Sequence, residues 1–302
     1  MRPAAAILAL ALWVAAAPAA AQTSLMAGAR PVSAEVDAAL ARARAGDESS
    51  LLRLAEGGAA EAQMFAGLRM AFEPRPAAEA ARGCAWLETA AQQRGDAMHF
   101  LGEAYQYGKC GPKDLQKAIA TFRKAGDMGI PKSRCAEGNL LLETGGDKAR
   151  AVQLCREGAE AGDRDAQTDL GNFYLMGEVV AQDVALARSW YEKAAAQRQV
   201  NAAFVLGQIY WNADGVPRDV RRARELWLLA YEGGRADATF HLGNAAWVLS
   251  QRGEKAWDPS GLDEAAEWYA KAAEAGAPSE RKEAAERRDL ARQLAGVMRK
   301  RR

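Results

Sequence analysis

Apolar and small residues recur along most of this chain at helical spacing, and the pattern itself repeats. One unit places Ala five residues before a Gly, Leu just before that Gly and an aromatic three after it, as in Ala97 through Leu101-Gly102 to Tyr105. Ala166 to Tyr174 and Ala202 to Tyr210 repeat it, while Ala238 to Ala246 keeps Leu242-Gly243 and loses the aromatic. The glycines Gly67, Gly102, Gly138, Gly171, Gly207 and Gly243 lie 35, 36, 33, 36 and 36 residues apart. A second half-motif follows: Asp twelve residues after the Gly, Ala four later, a bulky pair and then small residues. Asp183, Ala187, Trp190-Tyr191 and Ala194-Ala195 show it whole. Asp114, Asp147 and Asp219 take the same place, and Asp is a strong helix N-cap, so these aspartates read as structural.

Each unit is therefore a helix A, a loop of about ten residues, a helix B and a Gly-marked turn. Such a hairpin cannot bury its own apolar face and must stack on its neighbours. With both half-motifs recurring in phase, residues 59–276 resemble the Sel-one-like repeats, relatives of the tetratricopeptide repeats. The resemblance implies an all-α fold, a right-handed superhelical solenoid of helical hairpins. It also implies a role in protein binding, because such proteins are mostly adaptors and regulators of complexes, including exported ones in bacteria.

The reading divides the region into six repeats, 59–95, 96–129, 130–162, 163–198, 199–234 and 235–276. The third has a clipped loop, with nine residues from Gly138 to Asp147, and the sixth carries about six extra residues around Lys255-Ala256-Trp257-Asp258. Residues 22–58 are read as an N-terminal segment with a worn hairpin, Ser33 to Ala45 and Glu48 to Glu56. Residues 277–302 are read as a capping helix with Leu290, Leu294, Val297 and Met298 on the stripe facing the stack, ending in the basic run Arg299 to Arg302. At the other end, Arg2, the apolar run Ala4–Ala17 and Ala19-Ala20-Ala21 before Gln22 read as a signal peptide over residues 1–21. The run is shorter than the roughly 20 residues of a bilayer span. The expected location is periplasmic or secreted, without stable membrane insertion after cleavage.

Charge narrows the partners. Residues 1–21 hold one Arg and no acid, so without them the basic total falls from 40 to 39 and equals the 39 acids. A neutral chain has no overall field to draw in nucleic acid. Cys84, Cys110, Cys135 and Cys155 all fall in repeats one to three, an even count that suggests two disulfides in an exported chain, with three formal pairings. Antiparallel helices bring Cys135, early in one helix A, level with Cys155, late in the following helix B. Cys84 and Cys110 lie at adjoining ends of repeats one and two, so Cys84–Cys110 and Cys135–Cys155 are expected.

Chemistry is sparse. The chain has no phosphate loop, zinc-protease helix, nucleophile elbow or paired Cys-x-x-Cys, so no catalytic residue, metal or cofactor is expected. His99 and His241 lie far apart along a solenoid. Ser279-Glu280-Arg281-Lys282 has the Ser-x-x-Lys spacing of β-lactam-acylating enzymes but lacks their partner motifs. The reading is a non-enzymatic scaffold; a cell-wall or β-lactam-processing hydrolase and a structural part of an envelope export assembly are its rivals.

The expected binding surface is a groove on the A helices of repeats four to six. Three residues before the glycine stand Thr168, Phe204 and Phe240, and four after it Leu175, Trp211 and Trp247. Positions seven apart share a helix face. Asn172, Gln208 and Asn244, one after each glycine, would form a polar row beside the aromatics, a composition suited to gripping a peptide. That this face is concave is implied by the tetratricopeptide resemblance.

Overall fold

The computed structural model describes residue 28 and residues 30–252 and 256–300. The signal-peptide reading of residues 1–21 and part of the repeat-six insertion lie outside these. The described chain is all α: fifteen helices in which successive helices pack as hairpins, with one isolated bridge between Gln251 and Trp257. It forms two compact units that divide between Ala166 and Gln167.

The first unit contains α1 (Ala34–Arg44), α2 (Ser49–Glu56), α3 (Ala60–Phe72), α4 (Ala77–Ala91), α5 (Gly95–Gln106), α6 (Leu115–Asp127), α7 (Pro131–Glu143) and α8 (Lys148–Glu160). Its interior is built on Leu51, Leu87, Phe122, Ile130 and Leu140, all fully buried. The second contains most of α9 (Arg164–Met176), then α10 (Val184–Ala196), α11 (Val200–Asn212), α12 (Val220–Glu232), α13 (Ala238–Leu249), α14 (Pro259–Ala275) and α15 (Arg281–Lys300). Leu206, Trp227, Leu242 and Tyr269 are its fully buried centre.

The repeat signature has a direct mechanical meaning. A Cβ placed on Gly102 would meet the Phe122 ring at 2.7 Å, on Gly171 the Tyr191 ring at 2.8 Å, and on Gly243 the Tyr269 ring at 2.6 Å. The aromatic of helix B thus presses against the glycine of helix A, and nothing larger than hydrogen fits between them. In the third repeat, where Cys155 replaces the aromatic, the backbones close the gap and the Ala151 carbonyl stands 2.6 Å from the same point on Gly138. The aspartates act as caps: Asp114 accepts from Lys117 N at 2.9 Å, Asp183 from Leu186 N at 2.9 Å and Asp219 from Arg222 N at 2.9 Å. Just past α8, Gly162 takes a φ of +92° that few other residues adopt, turning the chain into α9.

Cys84 is bridged to Cys110, their Cα atoms 5.5 Å apart, and Cys135 to Cys155. The first bridge ties α4 to the loop after α5; the second ties α7 to α8.

The last helix departs from expectation. Helix α15 packs on α14 through Ala284, Ala291 and Ala295, all buried, while Leu290 and Val297 are 46% and 38% exposed. Small residues let two helix axes approach closely, so the alanines take the contact side, with Leu294 and Met298 half-buried at its margin.

Candidate functional site

The residues singled out on the A helices of the second unit divide into two groups. Phe204 and Phe240 are buried, at 6% and 8% exposure. The Phe204 ring packs edge-on against His241 at 5.2 Å and is covered by the Arg235 guanidinium at 3.8 Å, while its carbonyl accepts from Trp227 Nε1 at 3.2 Å. Phe240 lies 5.9 Å from Tyr269 with Arg287 above it. As groove residues these two are corrected: they hold one repeat to the next and offer no open ring face.

Trp211, Trp247, Leu175 and Gln208 remain half-exposed. Trp211 leans on Trp227 with ring centroids 5.6 Å apart, and Arg218 lies 4.5 Å over its ring. Trp247 meets Trp257 at 5.0 Å. Trp257 belongs to the extra residues of repeat six, where Asp258 N donates to the Ser250 carbonyl and Arg252 N to the Ala256 carbonyl, both at 2.7 Å. Trp257 and Asp258 are therefore held back against the helix whose tryptophan Trp257 flanks. Leu175 packs at the edge of the core formed by Ala187 and Leu206.

Two of the three amides have structural partners. The Tyr191 hydroxyl donates to Asn172 Oδ1 at 2.7 Å, and the Tyr269 hydroxyl donates to Asn244 Oδ1 at 2.8 Å. Arg287 also donates to Asn244 Oδ1 at 2.8 Å. Burial raises the pKa of both phenols, so they stay donors at neutral pH. The tyrosine that lies on the repeat glycine thereby reaches past it to orient the next side chain of helix A.

His241 was not among the residues expected to matter here. Its ring stacks on Trp227 at 4.8 Å and 30°. Burial pushes its pKa below the ordinary histidine value; Asp237 opposes the shift and Arg235 adds to it. The sequence signal was its place two residues before Gly243, beside Phe240.

In the first unit, polar groups collect on the A helices instead. His99 Nδ1 lies 2.8 Å from Ser133 Oγ, His99 Nε2 lies 3.4 Å from Glu103, and Lys132 Nζ lies 3.3 Å from Asp165. Burial opposes the charge on Lys132, yet Asp165, Glu103 and Asp163 together hold its pKa above the usual lysine value. A Ser-His-Glu line looks like a nucleophile set, but Ser133 and His99 are 0% and 1% exposed, so the hydroxyl is shut off from any substrate. Ser279 and Lys282 are both exposed around the start of α15. Among the described residues no cluster of His, Cys, Asp and Glu could hold a metal, and no helix is long and apolar enough to cross a membrane.

The repeat geometry has clear counterparts among known proteins. The Sel1 repeat model matches residues 95–130, 138–163, 164–198, 200–234 and 236–276, more than half of the chain. The chain belongs to the Sel1 repeat family. A Sel1 repeat protein from Oxalobacter formigenes has a similar structure, with a TM-score of 0.56 and 25% identity, covering 71% of this chain and 94% of that one. A protective antigen of uropathogenic Escherichia coli is 26% identical with a TM-score of 0.43, covering 78% of this chain and 56% of its own. Among curated proteins, an F-box protein from Arabidopsis thaliana is 31% identical over 106 residues, which is 35% of this chain. That match spans only 29% of the F-box protein's length. Sel1 repeat proteins generally mediate protein–protein interaction, and such scaffolds are typically non-catalytic.

Proposed function

We propose that this chain is an exported, non-catalytic scaffold that captures a protein or peptide segment on the A-helix face of its second unit, at Leu175, Gln208, Trp211 and Trp247, with Asn172 and Asn244 alongside. The observation that carries this reading is a surplus of aromatics. Tyr191, Trp227 and Tyr269 already fill the space over the repeat glycines. Trp211 and Trp247 are therefore not needed for that contact, yet remain half in solvent. Partly exposed tryptophans beside amides are the anchor-and-polar composition from which interfaces draw most of their energy. Export is supported by the pattern of residues 1–21 and by two disulfides, which persist in oxidising compartments.

The test is crosslinking and affinity capture from the native envelope, with wild type beside Trp211→Ala and Trp247→Ala. Loss of a specific crosslinked partner with unchanged helicity and melting temperature supports the reading. Unchanged capture by both variants overturns it.

A further inference from the structure

We infer that the outer face of α15 is a self-association surface that pairs antiparallel with the same helix of a second copy. Helix α15 packs on α14 through Ala284, Ala291 and Ala295, which leaves Leu290 and Val297 exposed and Leu294 half-buried at the flank. Leu290 and Val297 are among the few large apolar side chains of the described residues that stand exposed, and with Leu294 they form one stripe at helical spacing.

Charge along the stripe specifies its occupant. Glu286, Gln293 and Lys300 follow at intervals of seven and line one edge, all three exposed, with the acid at the N-terminal end and the base at the C-terminal end. A two-fold axis perpendicular to an antiparallel helix pair sets this edge against its own copy, so Glu286 meets Lys300 of the second copy, and the pair occurs twice. The midpoint between positions 286 and 300 differs from that between 290 and 297 by half a residue, less than about 1 Å of helix rise. The register that joins the charges therefore also lays Leu290 against Val297 of the second copy. A parallel pairing would set this edge against the other edge of the second copy's stripe and would not bring Glu286 and Lys300 together. One helix face gives a contact below ~1,200 Å² in total, so association is weak, at roughly tens to hundreds of micromolar.

Sedimentation equilibrium of the purified, disulfide-intact protein tests this. The average mass should climb toward twice the monomer value with concentration. Leu290→Glu should weaken association by about tenfold or more, since it buries an unpaired charge in the contact. Glu286→Lys and Lys300→Glu should each weaken it several-fold, by about 3- to 10-fold. A one-to-one mixture of those two single variants should associate again, because each supplies the charge the other lacks. A merely structural role for these exposed residues could not produce that recovery, and melting temperatures confirm that every variant is folded. A protein that stays monomeric to about 500 µM, a range that covers the weak affinity expected here, or a mixture that does not recover, overturns the inference.

Discussion

Gly207 lies directly beneath the indole of Trp227: a Cβ on Gly207 would come within 2.5 Å of Nε1, the same nitrogen that donates to the Phe204 carbonyl. One methyl group would therefore strain the helix contact and a buried hydrogen bond together. We expect Gly207→Ala to cost about 1–3 kcal/mol in chemical denaturation. Gly296→Ala is the control, because nothing lies within 4 Å of its would-be Cβ. It should gain up to about 1 kcal/mol from helix propensity alone. Equal effects at the two sites would show that the repeat glycines are not contact glycines.

The two disulfides close loops with sequence separations of 26 and 20 residues. In the chain-entropy account each stabilises by about 3 kcal/mol. Replacing Cys84 and Cys110 together by Ser should lower stability by that order, with the loss confined to the first unit in hydrogen exchange. Peptide mapping under non-reducing conditions checks the pairing, and a Cys84–Cys155 peptide would refute it.

His241 makes the second unit acid-sensitive. Its folded pKa is depressed by burial, so the folded state resists the proton that the unfolded state accepts near pH 6.5. Stability is fully present above that pH and falls as pH drops from there toward the folded value. We expect the unit to lose stability between pH 7 and 5, and His241→Phe, which keeps a ring on Trp227, to flatten that slope. An unchanged slope in the variant would assign the sensitivity to other groups.

Trp247 and Trp257 form an edge-to-face pair across the repeat-six insertion. A double-mutant cycle to Ala should return a coupling of about 0.5–1 kcal/mol. Trp257→Ala should also raise acrylamide quenching of the fluorescence, because it uncovers Trp247. No coupling and no added quenching would mean the insertion does not rest on the helix in solution.

The repeat glycines, capping aspartates and hairpin order were legible because each is a local rule repeated in phase. What Asp114, Asp183 and Asp219 do follows from backbone chemistry that any helix start shares. The surface was harder to read. Seven-residue spacing correctly puts Phe204 and Trp211 on one helix face, but it cannot say what the next repeat lays over them. Arg235 and His241, more than twenty residues away in sequence, cover Phe204 and leave Trp211 partly open. Trp257 sits in a segment with no period, so nothing local ties it to Trp247. On α15 a hydrophobicity rule favours leucine for the inner side, whereas close helix approach favours alanine, and approach wins.

The bonds from Tyr191 and Tyr269 to the neighbouring asparagines also fix which way those two carboxamides are turned. A hydroxyl proton aimed at Oδ1 removes the freedom of a carboxamide to present either end, and at Asn244 the Arg287 contact takes the second lone pair. Each amide keeps its two Nδ2 hydrogens available to donate. Donors held in this way suit carbonyl and carboxylate oxygens. In the proposed groove, an extended segment would meet these amides through its main-chain oxygens.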